Sequence, residues 1–141
     1  MVTSGFNLTR SDLKRWFDEF NEEYFDKSLP APLFTLSSAS ARILGKLSTR
    51  VHRDKIHDVR YRKSEWYTFT ITMYTRYDRS EYWLKNTFLH EMIHEWQVMT
   101  FGRAGHRTTF HVKADEINRK GGWQISVHSN PYKEEGILMS A

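Results

Sequence analysis

The chain has 141 residues, of which 39% are hydrophobic and 15% are aromatic, so it is long enough to bury one substantial core. It has no cysteine, which excludes disulfide bonds, thiolate metal ligands and a cysteine nucleophile. Its formal net charge of +4 is unevenly distributed, because residues 42–63 hold eight Lys or Arg side chains against only Asp54 and Asp58. Such a concentrated basic segment favours a polyanionic partner.

Nothing near the start of the sequence resembles the apolar core of a secretory signal. No apolar run in the chain reaches the roughly 18 residues that a membrane-spanning helix needs. With the absence of cysteine, these features predict a cytoplasmic or nucleoid-associated protein that has no membrane partner.

Apolar residues at helical spacing predict three helices, over about residues 9–25, 80–100 and 108–120. The middle helix has apolar residues on all sides, as expected for a central, buried helix. The capping pairs predicted at the starts of the first two helices are Thr9 with Asp12 and Asp78 with Glu81.

Strands are predicted over about residues 33–37, 42–51 and 66–74, and a short last strand over 123–128. The third strand has the clearest pattern, because aromatic and aliphatic residues alternate there with threonines. The predicted fold class is α+β, with about three helices packed on a small, mostly antiparallel sheet. We expect one domain over residues 1–141, with a core at about 8–128 and a C-terminal tail at 129–141.

The central helix contains the sequence His90-Glu91-Met92-Ile93-His94, which is an HExxH motif. Residues four apart stack on one face of a helix, so two imidazoles there can reach the same metal ion. Glu91 is adjacent to the first histidine and can reach a zinc-bound water. The motif therefore predicts a Zn²⁺ site in which Glu91 is the catalytic base.

A catalytic zinc ion usually has three protein ligands and keeps one position open for water. The spacing leaves three candidates for the third ligand, which are His106, Glu116 and His111 in that order. His106 follows Gly102 and Gly105, where the chain could turn back over the metal. Glu116 would instead give a His-His-Glu site.

Two segments together resemble the SprT-like metallopeptidases, the family that includes the DNA–protein crosslink protease Spartan. The first is His90-Glu91-Met92-Ile93-His94-Glu95-Trp96, and the second is Gly105-His106-Arg107-Thr108-Thr109-Phe110, followed by Ile117-Asn118. The resemblance extends over roughly residues 10–128. It implies that His106 is the third zinc ligand, beside His90 and His94. It also implies a zincin-like domain.

The predicted activity is that of a zinc-dependent endopeptidase acting on a protein or peptide, in which Glu91 activates a zinc-bound water. Substrates associated with DNA are expected from the family resemblance. Arg107 and His111 are the candidates for stabilising the oxyanion. Two alternatives stay open: a DNA-binding protein whose zinc site is structural or catalytically silent, and a DNA-independent regulatory peptidase with one protein target.

The basic segment is a candidate surface for single-stranded or double-stranded DNA, since lysine and arginine side chains neutralise phosphates. Tyr61, Trp66 and Tyr67 lie close by in sequence and could stack on unpaired bases. The residues predicted to contact nucleic acid are Arg50, Arg53, Lys55, Arg60, Arg62 and Lys63.

The third predicted strand carries a row of threonines, Thr68, Thr70 and Thr72, opposite its apolar face. If this strand forms an edge of the sheet near the metal, it can pair with an extended substrate chain. An ordinary solvated face is the alternative.

Overall fold

A computed structural model describes residues 5–127, together with the backbone of residues 138–139. It shows a small α+β fold in which three helices pack with a small mixed sheet. The helices are α1 (Arg10–Tyr24), α2 (Glu81–Phe101) and α3 (Thr108–Gly121), and the strands are β1 (Leu33–Ser37), β2 (Gly45–Val51), β3 (Tyr67–Tyr74), β4 (Tyr77–Asp78) and β5 (Leu138–Met139), with a short 3₁₀ helix at Lys63–Glu65.

The first helix starts at the predicted capping pair. The Thr9 side chain accepts a hydrogen bond from the backbone N–H of Asp12, and the Asp12 carboxylate accepts one from the backbone N–H of Thr9. The apolar stripe of α1 is buried as its spacing predicts, and it consists of Leu13, Trp16, Phe17, Phe20 and Tyr24.

The main sheet has the strand order β1-β3-β2, with β1 parallel and β2 antiparallel to β3. The main sheet is therefore mixed, with β3 between β1 and β2. Because β3 is the central strand, the condition under which its threonine row could pair with a substrate is not met, and Thr35 of β1 and Thr72 of β3 hydrogen-bond across the sheet. Of these three strands, β2 lies at the edge of the sheet that contacts α2.

The central helix α2 is buried over most of its length, as its apolar residues predict. Its N-cap is Ser80, whose Oγ accepts a hydrogen bond from the backbone N–H of Trp83 at 3.3 Å. The prediction of Asp78 as the N-cap is wrong, because that residue lies in β4, three residues before the first residue of the helix, Glu81. The helix ends at Gly102, which has the left-handed φ of 83° that glycine adopts without strain.

Residues 123–127, which follow α3, do not form the predicted strand. Their backbone is bound instead by two side-chain amides: Asn86 accepts from the N–H of Gln124 at 2.6 Å, and Asn118 accepts from the N–H of Ile125 at 2.8 Å. His128 and most of the predicted tail lie outside the described residues, except that Leu138–Met139 pairs antiparallel with β4.

The main core is formed between α1, α2, α3 and the inner face of β3. Its most completely buried aromatic residues include Trp16, Phe88 and Phe110. A second, smaller cluster joins the end of α2 to the sheet, through Val98 and Phe69. Within the described part of the chain, no helix has the combined length and apolarity that crossing a membrane requires.

Candidate metal centre

Three histidines converge at one point on the exposed side of α2. His90 and His94 are one helical turn apart, and His106 comes from the loop between α2 and α3. Their Nε2 atoms form a triangle in which each of the three separations is 3.1 Å. These histidines form a group that could hold a metal ion, and the other two candidates for a third ligand are not part of it.

The hydrogen bonds on the outer side of two rings fix where their lone pairs point. Nδ1 of His90 lies 2.8 Å from the carbonyl oxygen of Ser126, and Nδ1 of His94 lies 2.8 Å from Oε1 of Gln97. Both partners are acceptors, so each Nδ1 carries the proton and each Nε2 keeps a lone pair. Two lone pairs that face each other at 3.1 Å repel, and a shared cation is the partner that satisfies both.

The triangle has a size that suits a transition metal. The centre of a triangle with sides of 3.1 Å lies about 1.8 Å from each corner. An ion slightly above that centre therefore meets all three nitrogens at roughly the 2.0–2.1 Å of a Zn–N bond. Three neutral imidazoles are a donor set that zinc, copper, iron and nickel all accept.

Burial keeps the two helical histidines neutral. It lowers the pKa of His90 from 6.5 to about 3, and the neighbouring His94 adds to this effect. Burial also lowers the pKa of His94, against the opposing effect of the hydrogen bond that its Nδ1 donates to Gln97. Both imidazoles are therefore in the form that binds a metal at neutral pH.

The loop to His106 begins at the left-handed Gly102, so the chain turns back over α2 as predicted from its glycines. Phe110, which is fully buried on α3, then packs beneath the three imidazoles, with its ring centroid 4.7 Å from that of His90 and 5.2 Å from those of His94 and His106. The metal-binding side of the cluster stays open to solvent, because the His106 side chain is exposed.

Glu91 is buried between α2 and β2, with only 4% of its surface exposed. Burial raises the pKa of its carboxyl group from 4.5 to about 8, against the opposing backbone hydrogen bond from Leu47. The close approach requires a glycine in β2, since a Cβ on Gly45 would lie 2.8 Å from Cγ2 of Thr87 and 3.1 Å from Oε2 of Glu91. A carboxyl group with a pKa near neutrality can both accept and release a proton.

The other residues predicted for catalysis or metal binding lie outside the cluster. Glu116 forms an ion pair with Lys113 at 3.1 Å on α3. His111 is exposed, with its ring 6.2 Å from that of Phe110. Arg107 precedes α3 and lines a cavity of about 520 Å³ beside His106.

The basic segment, residues 42–63, contains all of β2 and most of the connection from β2 to β3. Arg53, Arg62 and Lys63 are exposed, whereas Arg60 is paired with Asp58 through a hydrogen bond of 2.8 Å. Lys55 and Arg60 both lie against the Tyr61 ring, at 5.5 Å and 5.9 Å from its centroid.

Sequence reasoning missed two groups that orient the histidines. Gln97 is three residues after His94 on the same helix, so the i, i+3 spacing was a signal that could have found it. The backbone carbonyl of Ser126 has no such signal, because any residue type could supply it.

Comparison with known proteins identifies one family for this chain. The model of the SprT-like family matches residues 13–129, which include every residue of the histidine cluster. Comparisons with curated proteins and with solved structures each gave no match.

Proposed function

The chain belongs to the SprT-like family, and we propose that it is a zinc-dependent endopeptidase. The observation that carries the proposal is the convergence of three imidazole nitrogens beside a buried carboxyl group. His90, His94 and His106 would hold the ion, and Glu91 follows His90 on the same helix. A site used only to stabilise the fold would have a fourth protein ligand and no need for a proton acceptor beside it.

Zinc, when bound, supplies Lewis acidity that polarises a peptide carbonyl and makes a water molecule more acidic. Glu91 takes the proton from the attacking water and later passes it to the leaving amine. Burial raises the pKa of this carboxyl group, which favours its holding the proton between the two transfers. The Leu47 N–H keeps the carboxylate oriented while its charge changes.

The substrate is proposed to be an extended segment of protein that pairs with the outer edge of β2. Leu47 pairs with Ile71 of β3, yet its N–H is bonded to Glu91, so this N–H points away from β3. Along a strand such groups alternate in direction, so the N–H of Thr49 also points to the outer edge. A peptide added at this edge would pass close to Glu91 and the histidines.

The substitution Glu91→Gln tests the proposal. It keeps the shape of the side chain and removes its basicity, so the variant should bind zinc as the wild type does. Its rate of cleavage should fall by about 10²–10⁴-fold. Cleavage of casein and self-cleavage are measured with stoichiometric zinc, and zinc content is measured in parallel. Equal cleavage by both proteins, or no cleavage by zinc-loaded wild type, would leave a structural or silent zinc site as the better description.

A second proposal concerns where the peptidase acts: we propose that it acts on proteins associated with DNA. Support comes from the exposed Arg53, Arg62 and Lys63 on the basic segment, and from the aromatic ring of Tyr61 among them. The segment packs through Ile56 against the cluster that contains Val98, one helical turn beyond His94. DNA bound there would lie near the metal centre.

Fluorescence-anisotropy titrations with short single-stranded and double-stranded DNA test this second proposal. Affinity should fall with salt, by about 0.7 logarithmic units per logarithmic unit of salt for each phosphate neutralised on a single strand. Arg62→Glu with Lys63→Glu should weaken binding similarly for different sequences, because phosphate contacts do not read bases. Lys14→Glu on the far helix α1 is the control. Cleavage without DNA binding would favour a regulatory peptidase with one protein target.

A further inference from the structure

We infer that Gln97 is a positioning residue that ties the ligand His94 to the loop that carries the ligand His106. The inference rests on the metal-binding part of the proposed function. It goes further, because it assigns a role to a residue that is neither a ligand nor the proton acceptor.

Gln97 is almost completely buried, with 2% of its surface exposed, and it makes three hydrogen bonds. Its Oε1 accepts from Nδ1 of His94 at 2.8 Å and from the backbone N–H of Gly105 at 3.2 Å. Its Nε2 donates to Oγ1 of Thr109 at 2.9 Å. The N–H of Gly105 can only donate, so the orientation of the amide is fixed by the backbone itself.

The bond to His94 sets the chemistry of that ligand. Because Oε1 of Gln97 is an acceptor, the proton stays on Nδ1 of His94, and the lone pair on Nε2 points toward the other two histidines. Without this acceptor the ring could rotate or change tautomer, and fewer of its conformations would present a lone pair to the metal.

The other two bonds act on His106 from both sides. Gly105 immediately precedes it, and Thr109 follows it on the first turn of α3. The Gln97 side chain therefore fixes the backbone on either side of a ligand that comes from a different element than its own. The 3.1 Å separation between Nε2 of His94 and Nε2 of His106 depends on this bridge.

The donors and acceptors of Gln97 suggest which substitutions separate its role from packing. Glutamate keeps an oxygen that accepts from His94 and Gly105, and the Thr109 hydroxyl can turn to donate to its second oxygen. Methionine fills nearly the same volume but accepts neither bond well. Thr109→Val removes only the third bond. Asn21→Leu is the matched control, because Asn21 also bonds a backbone N–H and a backbone carbonyl, those of Leu29, but on α1.

The experiment is a competition for zinc between each protein and a chromophoric chelator, which measures affinity without requiring cleavage. Gln97→Met should lose about 10–100-fold in zinc affinity, as removal of such supporting groups typically does. Gln97→Glu should stay within about threefold of the wild type, and Asn21→Leu should be unchanged. With cobalt in place of zinc, the visible absorption band should shift in Gln97→Met and persist in Gln97→Glu, because the band reports the geometry of the ligands.

Several results would overturn the inference: unchanged zinc affinity in Gln97→Met, equal losses in Gln97→Met and Gln97→Glu, or a loss in Asn21→Leu as large as that in Gln97→Met. A wild-type protein that binds no zinc would overturn the proposed function as well. A wild type that binds zinc, with Gln97→Met equally tight, would overturn this inference alone.

Discussion

Glu91 and Glu95 are one helical turn apart on α2, and their surroundings separate their roles. Both are buried, but Glu91 receives a hydrogen bond from Leu47 and lies beside the histidine cluster. Neither oxygen of Glu95 has a hydrogen-bond partner among the described residues. Glu91 is thus placed for the proposed proton transfer, whereas the burial of Glu95 is a cost to stability with no contact among the described residues that offsets it.

Glu95→Leu should therefore stabilise the protein. Burial raises the pKa of Glu95 from 4.5 to about 9, so the folded state holds this proton more tightly than the unfolded chain does. The resulting cost to stability begins above pH 4.5 and grows until about pH 9. The substitution should raise the free energy of unfolding at pH 8 by about 1–3 kcal/mol, and by less at pH 5.

Urea unfolding at the two pH values, with zinc held constant, measures this difference. Glu19→Leu, at an exposed position of α1, is the control and should show little change at either pH. A Glu95→Leu protein with the same stability as the wild type at pH 8 would show that Glu95 has a partner in solution.

The third metal ligand is the part of the proposed site for which the sequence left the most candidates. His106→Ala should lose zinc to a moderate chelator concentration, because it removes one of the three converging nitrogens. Glu116→Gln and His111→Ala should keep it, since both side chains lie outside the cluster. Zinc content after dialysis is the measurement. Zinc kept by His106→Ala and lost by Glu116→Gln would indicate a His-His-Glu site.

Among the elements, the contact between β2 and α2 determines the position of Glu91, the proposed proton acceptor. Gly45 lies where the strand comes so close to the helix that a methyl group would meet Thr87 and Glu91. Gly45→Ala should therefore push β2 away from α2 and cost about 1–3 kcal/mol of stability. Cleavage should fall more than zinc affinity does, because Leu47 and Glu91 move relative to each other while the three histidines do not.

Gly105→Ala is the matched control for Gly45→Ala. A Cβ at Gly105 meets no atom within 4 Å, and the backbone N–H that binds Gln97 is retained. Thermal unfolding and zinc-loaded cleavage should both stay close to the wild type. Equal effects of the two substitutions would mean that the close contact is not specific to β2.

For the whole molecule, the candidate metal centre connects parts of the fold that are far apart in sequence. His90 binds the backbone of Ser126 after α3, and His106 comes from the loop before α3. A ligand that binds only the folded state stabilises it, by about 2.7 kcal/mol at a free concentration of one hundred times Kd. Removal of zinc with a chelator should thus lower Tm.

The increase in stability that bound zinc provides should shrink as the pH falls. The pKa of His90 is lowered from 6.5 to about 3, so an unfolded chain binds this proton more readily than the folded protein does. The stability that this histidine contributes is present above pH 6.5 and is lost between pH 6.5 and pH 3, where protons also compete with the metal. Thermal unfolding with and without chelator at pH 7.5 and pH 5 measures this, and a larger zinc increment at pH 5 would contradict it.

The sequence by itself determined the helices, the capping pair at Thr9, two of the histidines and the adjacent glutamate. These follow from local rules: the period of apolar residues defines a helix, and residues four apart share one of its faces. The order of the sheet could not be read in this way. Whether β3 lies between β1 and β2 depends on how strands pack on α2, and alternation of side chains is the same in either arrangement.

Which residue joins His90 and His94 in the cluster, and what supports it there, was decided by tertiary structure. Spacing left His106, Glu116 and His111 open, because a loop that contains glycine permits several return paths. The hydrogen bonds of Gln97 and the packing of Phe110 select one of these paths. The tautomer of His90 depends on the carbonyl of Ser126, in a segment whose backbone Asn86 and Asn118 bind. Contacts between residues distant in sequence thus fix the direction of the Nε2 lone pair of His90, and no local sequence pattern encodes those contacts.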